Sequence, residues 1–174
     1  MADNGTAAAE TDAPTSALIR ELLSFKELRP CDEEACRVFF GRLDVCDIRM
    51  RFASLHFSMR LFLPSPRGIA FAALDAAEEI VGVANLVHLD RHIAEIALIV
   101  RSDRQRRGIG RQLLAQALRW AGDQGFSHLL GYVLRENQRM RALARTMGFR
   151  SVGTDGLLIE MRCPISRTTG KERG

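Results

Sequence analysis

Lysine is almost missing from this chain: Lys26 and Lys171 are the only two, and arginine supplies the rest of its 25 basic residues. Against 21 acidic residues this leaves a net charge of +4, a surplus too small to mark a nucleic-acid binder by itself. Such a bias toward arginine is ascribed first to genome composition. Cysteine is scarce and scattered, at positions 31, 36, 46 and 163, with no C-x-x-C pair and no His/Cys spacing that suits zinc. A reduced, cytoplasmic chain with no bound metal is the simplest expectation. His56, His88, His92 and His128 share no spacing, so each reads as structural or exposed. No apolar run approaches the ~18 residues that span a bilayer, and the first residues lack a basic segment followed by an apolar core. Membrane partners are therefore not expected.

The 174 residues fit one domain, and 47% hydrophobic with 26% charged residues is ordinary for a globular protein. Residues 1–19 are small, polar and poor in bulky apolar side chains, and read as a disordered tail. Residues 166–174 read as its C-terminal counterpart, leaving 20–165 as one unit without repeats. Ser24–Arg29 passes for a first strand, stopped by Pro30. Ala35, Val38, Phe39 and Leu43 recur at helical spacing, and a second short helix is expected over Asp44–Phe52. Residues 53–67 read as a loop. Strands are expected at Ile69–Leu74, Ile80–Leu89 and Ile93–Val100. Leu113, Leu114, Ala117, Leu118 and Ala121 make the stripe of a helix packed on a sheet. A strand over His128–Leu134 and a helix over Asn137–Met147 follow, the latter with Gly148 at its C′ position. Arg150–Thr154 and Leu157–Cys163 close as an antiparallel pair around Asp155-Gly156. The order β α α β β β α β α β β predicts an α/β layered fold with a mixed, mostly antiparallel sheet.

The chemistry concentrates at the bend RSDRQRRGIGR, residues 101–111, between the apolar run IAEIALIV and a helix. A strand entering a helix through Gln105-x-x-Gly108-x-Gly110 leaves unpaired N–H groups at a positive dipole end. Glycines there let an anion approach the backbone closely. Arg104, Arg106, Arg107 and Arg111 add local positive charge. A phosphate-binding loop of the Walker type needs Lys-Ser/Thr, which does not follow. The dinucleotide fingerprint needs a third glycine where Gln112 stands. The plainer alternative is a solvated arginine-rich turn. Nucleic-acid binding is disfavoured, because no aromatic residues interleave the arginines as stacking platforms.

Gln105-Arg106-Arg107-Gly108-Ile109-Gly110 resembles the [RQ]-x-x-G-x-[GA] loop of the GNAT family of N-acetyltransferases. Asn137-x-x-Met140-x-x-Leu143-Ala144-x-x-x-Gly148-Phe149 is similar to that family's second motif. The stretches FFGRLDVCDIRMRF, AEIALIVRSDRQRRGIGRQLL and LLGYVLRENQRMRALARTMGFR look most like bacterial Pat-type protein lysine acetyltransferases. The resemblance covers about residues 24–163. It implies a sheet of about six or seven strands flanked by about four helices, with the central strands splayed. It also implies acetyl-CoA as co-substrate. The pyrophosphate would lie on Gln105, Arg106, Arg107, Gly108, Ile109, Gly110 and Arg111, chiefly on the amides from Arg106 onward. The pantetheine arm would run along Leu98, Ile99 and Val100, and Asn137 would contact the cofactor beyond it.

Glu95 is the only charge inside IAEIALIV, a run that reads as a strand covered on both faces. A lysine amine is almost wholly protonated at pH 7, so acetyl transfer benefits from a base, and the family often places a glutamate on this strand. The plainer reading turns Glu95 to solvent or pairs it with Arg91 or His92. Where many family members have a tyrosine acid this chain has Ala144. Tyr132 on the preceding strand reads as packing rather than as a replacement. A coenzyme A thiolate leaves without obligatory protonation, which makes that loss tolerable. Asp44 and Asp47 would attract a cationic lysine, although a helix cap and a solvated face are the plainer reading. The expected activity is acetyl transfer to a protein lysine, with a small amine as the alternative acceptor and a non-catalytic acyl-CoA sensor as a further alternative. A monomer or weak dimer is expected.

Overall fold

A computed structural model describes residues 23–52 and 68–165; the expected tails and the expected loop over 53–67 lie outside them. Seven strands and four α-helices follow the order read from the sequence: β1 (Ser24–Glu27), α1 (Glu33–Gly41), α2 (Val45–Phe52), β2 (Gly68–Leu74), β3 (Ile80–His88), β4 (Ile93–Val100), α3 (Ile109–Asp123), β5 (His128–Leu134), α4 (Gln138–Thr146), β6 (Arg150–Asp155) and β7 (Leu158–Pro164). They form one sheet in the order β1-β2-β3-β4-β5-β7-β6. Every neighbouring pair is antiparallel except β4 and β5.

β1 ends at Glu27, two residues short of the expected strand, although Leu28 N still donates to Ala70 O at 2.8 Å. Leu28 is buried against α1, where it packs with Cys36, Phe39, Phe40 and Leu43 over Ala70, Ala72 and Val83. The opposite face carries α3. Its residues Leu113, Leu114, Ala117 and Ala121 are buried, as their helical spacing requires. Gly82 on β3 permits that approach: a Cβ there would stand 3.1 Å from Leu113 Cδ1 and 3.2 Å from Ile109 Cγ2. α4 adds Ala144 to the same face, and Gly148 ends it with φ +92°.

The register of the two central strands opens the site. β4 pairs with β3 without interruption from Gly82↔Val100 to His88↔Ala94. Likewise β5 pairs with β7 from His128↔Pro164 to Leu134↔Leu158. Between β4 and β5, however, the ladder holds only Ile93↔His128, Ala94↔Leu129 and Glu95↔Leu130. Beyond Glu95 the strands diverge. The facing edges of Ile96–Val100 and Gly131–Leu134 form two sides of a wedge.

Candidate active site

A cleft of about 840 Å³ occupies that wedge and continues past the start of α3 to the start of α4. This lies within the roughly 300–1,000 Å³ typical of sites for organic ligands. Of the expected site residues, Leu98, Ile99, Val100, Gln105, Arg106, Gly108, Ile109, Gly110, Arg111 and Asn137 line it. Arg107 is exposed, outside the lining, and Glu95 is also absent from it. Cys46, Asp47, Met50, Ser102, Arg104, Gly131, Tyr132, Glu136, Met140 and Leu143 are also among the residues that line it.

The bend holds two left-handed residues. Arg106 has φ +64° and Gly108 φ +80°. Left-handed residues in such a bend curl successive N–H groups toward one concave side. Holding an arginine there costs about 1–2 kcal/mol, so the surrounding structure must enforce it. Gly108 stands immediately before α3, and Gln112 N donates to Gly108 O at 3.1 Å to close the first turn. Gly110 lies in the helix with its α-carbon against the wall: a Cβ would meet Leu143 Cδ2 at 3.3 Å and Leu98 Cδ2 at 3.6 Å.

Not all the arginines of the bend contribute to its field. Arg101 is 8% exposed and donates to Asp103 through Nε and Nη2 at 2.6 and 3.0 Å. Arg104, expected to add positive charge, donates Nη2 to the buried Asp75 carboxylate at 2.9 Å. Asp75 in turn accepts from Ala77 N and Glu79 N in the β2–β3 turn. These two cations are neutralised within the fold. Arg106, Arg107 and Arg111 are exposed.

Gln105 and Asn137 have first duties other than ligand contact. Gln105 Nε2 donates to Val100 O at 3.0 Å and to Asp47 Oδ1 at 2.9 Å, so its amide buttresses the bend. Asn137 caps α4, its Oδ1 accepting from Met140 N at 3.0 Å. That leaves its side-chain NH2 as a donor at the cleft wall.

Glu95 is half-buried at the apex of the wedge, in the last β4–β5 pair. Alternation along β4 turns it to the face of Ala97 and Ile99, the face that α1 covers. The ion pairs among the described residues do not include it. Tyr132 corrects an expectation. It is 40% exposed and lines the cleft instead of packing. Partial burial, then the carboxylates of Glu160 and Glu95, raise its phenol above the ordinary value, so it stays protonated at neutral pH. Asp44 caps α2 by accepting from Asp47 N at 2.7 Å. That bond is the main reason its carboxyl lies below the usual range. Asp47, expected on a solvated face, is only 7% exposed.

A splayed mixed sheet, with a glycine bend feeding a helix beside the opening, defines an acyltransferase fold of the acetyl-transferring class. The sequence pattern of the Acetyltransferase (GNAT) family matches residues 28–149, and the chain belongs to that family. It is 28% identical over 95 residues to human (Homo sapiens) N-acetyltransferase 8, a stretch that is 51% of this chain and 42% of that protein. The chain thus spans less than half the length of this curated relative. Its fold is similar to the GNAT domain of S. lividans PAT, with TM-score 0.74 and 16% identity over 80% of this chain and 89% of that one. It is also similar to spermidine N-acetyltransferase from Vibrio cholerae in complex with CoA and spermine. There the TM-score is 0.67 and the identity 18%, over 83% of this chain and 96% of that one. At these identities the two likenesses concern the fold.

Proposed function

We propose that the chain is an acetyl-CoA-dependent N-acetyltransferase whose acceptor is a protein lysine. The observation that carries the acetyl-CoA reading is the β4–β5 ladder ending at Glu95, with the open wedge leading to a bend that holds two left-handed residues. The residues present suit the co-substrate. A Cβ on Gly108 would meet nothing within 4 Å, so the backbone there is open to an anion. Exposed Arg106 and Arg111 stand beside it on the cleft wall. The lysine reading rests on the resemblance of the sequence to Pat-type enzymes.

Acetyl-CoA, when bound, supplies a thioester carbonyl open to attack by an amine. Gln105 to Arg111 hold the pyrophosphate through backbone N–H groups at the start of α3. The unpaired edge of Leu98–Val100 orients the pantetheine arm and directs N–H groups at the carbonyl, where charge develops during attack. Asn137 donates its side-chain NH2 from the opposite wall. Glu95 takes the proton from the acceptor's ammonium, directly or through one water, at the apex of the wedge. The general acid family members place at the Ala144 position has no counterpart there, and the thiolate leaves without it.

The test is Glu95→Gln. Removal of a general base lowers kcat/KM about 10²–10⁴-fold. An unchanged rate would remove Glu95 from the mechanism.

A further inference from the structure

Asp47 is a buried carboxylate on a helix of eight residues, and its partners lie far away in sequence. Its Oδ2 accepts from Ser102 N at 2.9 Å. Its Oδ1 accepts from Ser102 Oγ at 2.6 Å and from Gln105 Nε2 at 2.9 Å. Gln105 then donates to Val100 O, the last residue of β4, and directly precedes the strained Arg106. One carboxylate therefore joins α2, the end of β4 and the anion-binding bend. Cys46 and Met50, which flank it on α2, line the same cleft. At the other wall Arg49 pairs with Glu136 between β5 and α4. Both members of that pair are about half exposed, and an exposed pair contributes little. The buried tie is the one at Asp47.

We propose that Asp47 is a positioning residue that sets α2 and the bend in one fixed relation, so that the wall of Cys46 and Met50 forms together with the shape that receives the pyrophosphate. The proposal rests on the reading of the bend as the acetyl-CoA site. It has a physical consequence that simple packing lacks: loosening α2 weakens the donor site, and loosening the bend loosens α2.

Asp47→Asn tests it, because the amide keeps the shape but can accept at only one of its two ends. Whichever way it turns, an NH2 faces Ser102 or Gln105, which are donors. Three readouts are taken: amide hydrogen exchange of α2 without ligand, coenzyme A affinity by calorimetry, and kcat with both KM values. The α2 amides should exchange severalfold faster in the variant. The coenzyme A Kd should rise about tenfold, the scale of losing a hydrogen bond to a charged group. Both KM values should rise together, while kcat at saturation stays within about threefold of wild type. Unchanged α2 exchange and an unchanged Kd would overturn the proposal. So would a fall in activity that only tracks a lower melting temperature. If wild type itself fails to bind coenzyme A, the functional reading fails, while the ligand-free exchange comparison still decides whether Asp47 ties α2. Should the Asn variant not fold, Ser102→Ala removes one bond of the three and is read by the same measurements.

Discussion

Gly108 and Gly110 are both glycines of the bend, yet the structure assigns them opposite reasons, and alanine at each separates the two. At Gly108 the constraint is conformational and chemical. φ is +80° and an added Cβ would meet no protein atom within 4 Å. The cost to the ligand-free fold is therefore the left-handed backbone alone, about 1 kcal/mol. For a chain of this size that lowers Tm by about 2–4 °C. The added methyl group projects into the space that the pyrophosphate needs, and charge-assisted hydrogen bonds are worth about 1.5–3 kcal/mol each. Losing one raises the coenzyme A Kd roughly tenfold to hundredfold. At Gly110 the backbone is helical and the Cβ would press on Leu143 Cδ2 at 3.3 Å, the end of a side chain that can yield. Alanine gains about 1 kcal/mol of helix propensity over glycine, which offsets that crowding. Gly110→Ala should leave both Tm and Kd near wild type. Calorimetry with coenzyme A and thermal unfolding of the two variants make the comparison. An unchanged Kd for Gly108→Ala would refute the claim that the pyrophosphate lies on this backbone.

Arg104→Ala should cost stability and not affinity. It leaves Asp75 buried without its cation but with two backbone donors, a loss of about 2 kcal/mol. Tm should fall by roughly 4–8 °C, while the coenzyme A Kd measured by calorimetry stays put. A large loss of affinity with little change in Tm would mean that Arg104 acts on the ligand. Thiol reactivity should divide the four cysteines: exposed Cys31 and Cys46 react fast with an alkylating probe at pH 8, buried Cys36 and Cys163 slowly. Burial pushes the Cys36 thiol up to about 11, so it remains protonated at that pH and its thiolate is scarce. Peptide mapping of the alkylated protein reads the order. Saturating coenzyme A should protect Cys46, which lines the cleft, and leave Cys31 unaffected.

Local pattern was enough to place the strands that bound the site. Polar turns flank both Ile93–Val100 and His128–Leu134, and the observed strands have those bounds. Gln105 and Gly108 also fall between β4 and α3, and Asn137 falls at the start of α4, as expected. What local pattern could not reveal was long-range partnership. Asp47 reads as an exposed acid on a short helix because its hydrogen-bond partners, Ser102 and Gln105, lie 55 and 58 positions away. Arg104 reads as a free cation for the same reason, since Asp75 is 29 positions distant. Tyr132 reads as packing because its neighbours Leu129, Leu130, Val133 and Leu134 are apolar. Its exposure follows from the strands parting, which no single strand encodes. Gly131 gave no usable signal either, since a Cβ there would make only ordinary contact with Ile96, at 3.5 Å.

Acetyl-CoA turnover decides whether this protein acetylates lysine: thiol release is followed with lysine-containing proteins and with a panel of small amines, and the products are read by mass spectrometry. Thiol release should match acetylated lysine side chains in amount, and both should slow about 10²–10⁴-fold in Glu95→Gln. Turnover on small amines alone would contradict the lysine acceptor. Tight coenzyme A binding with no thiol release toward any amine would contradict catalysis altogether.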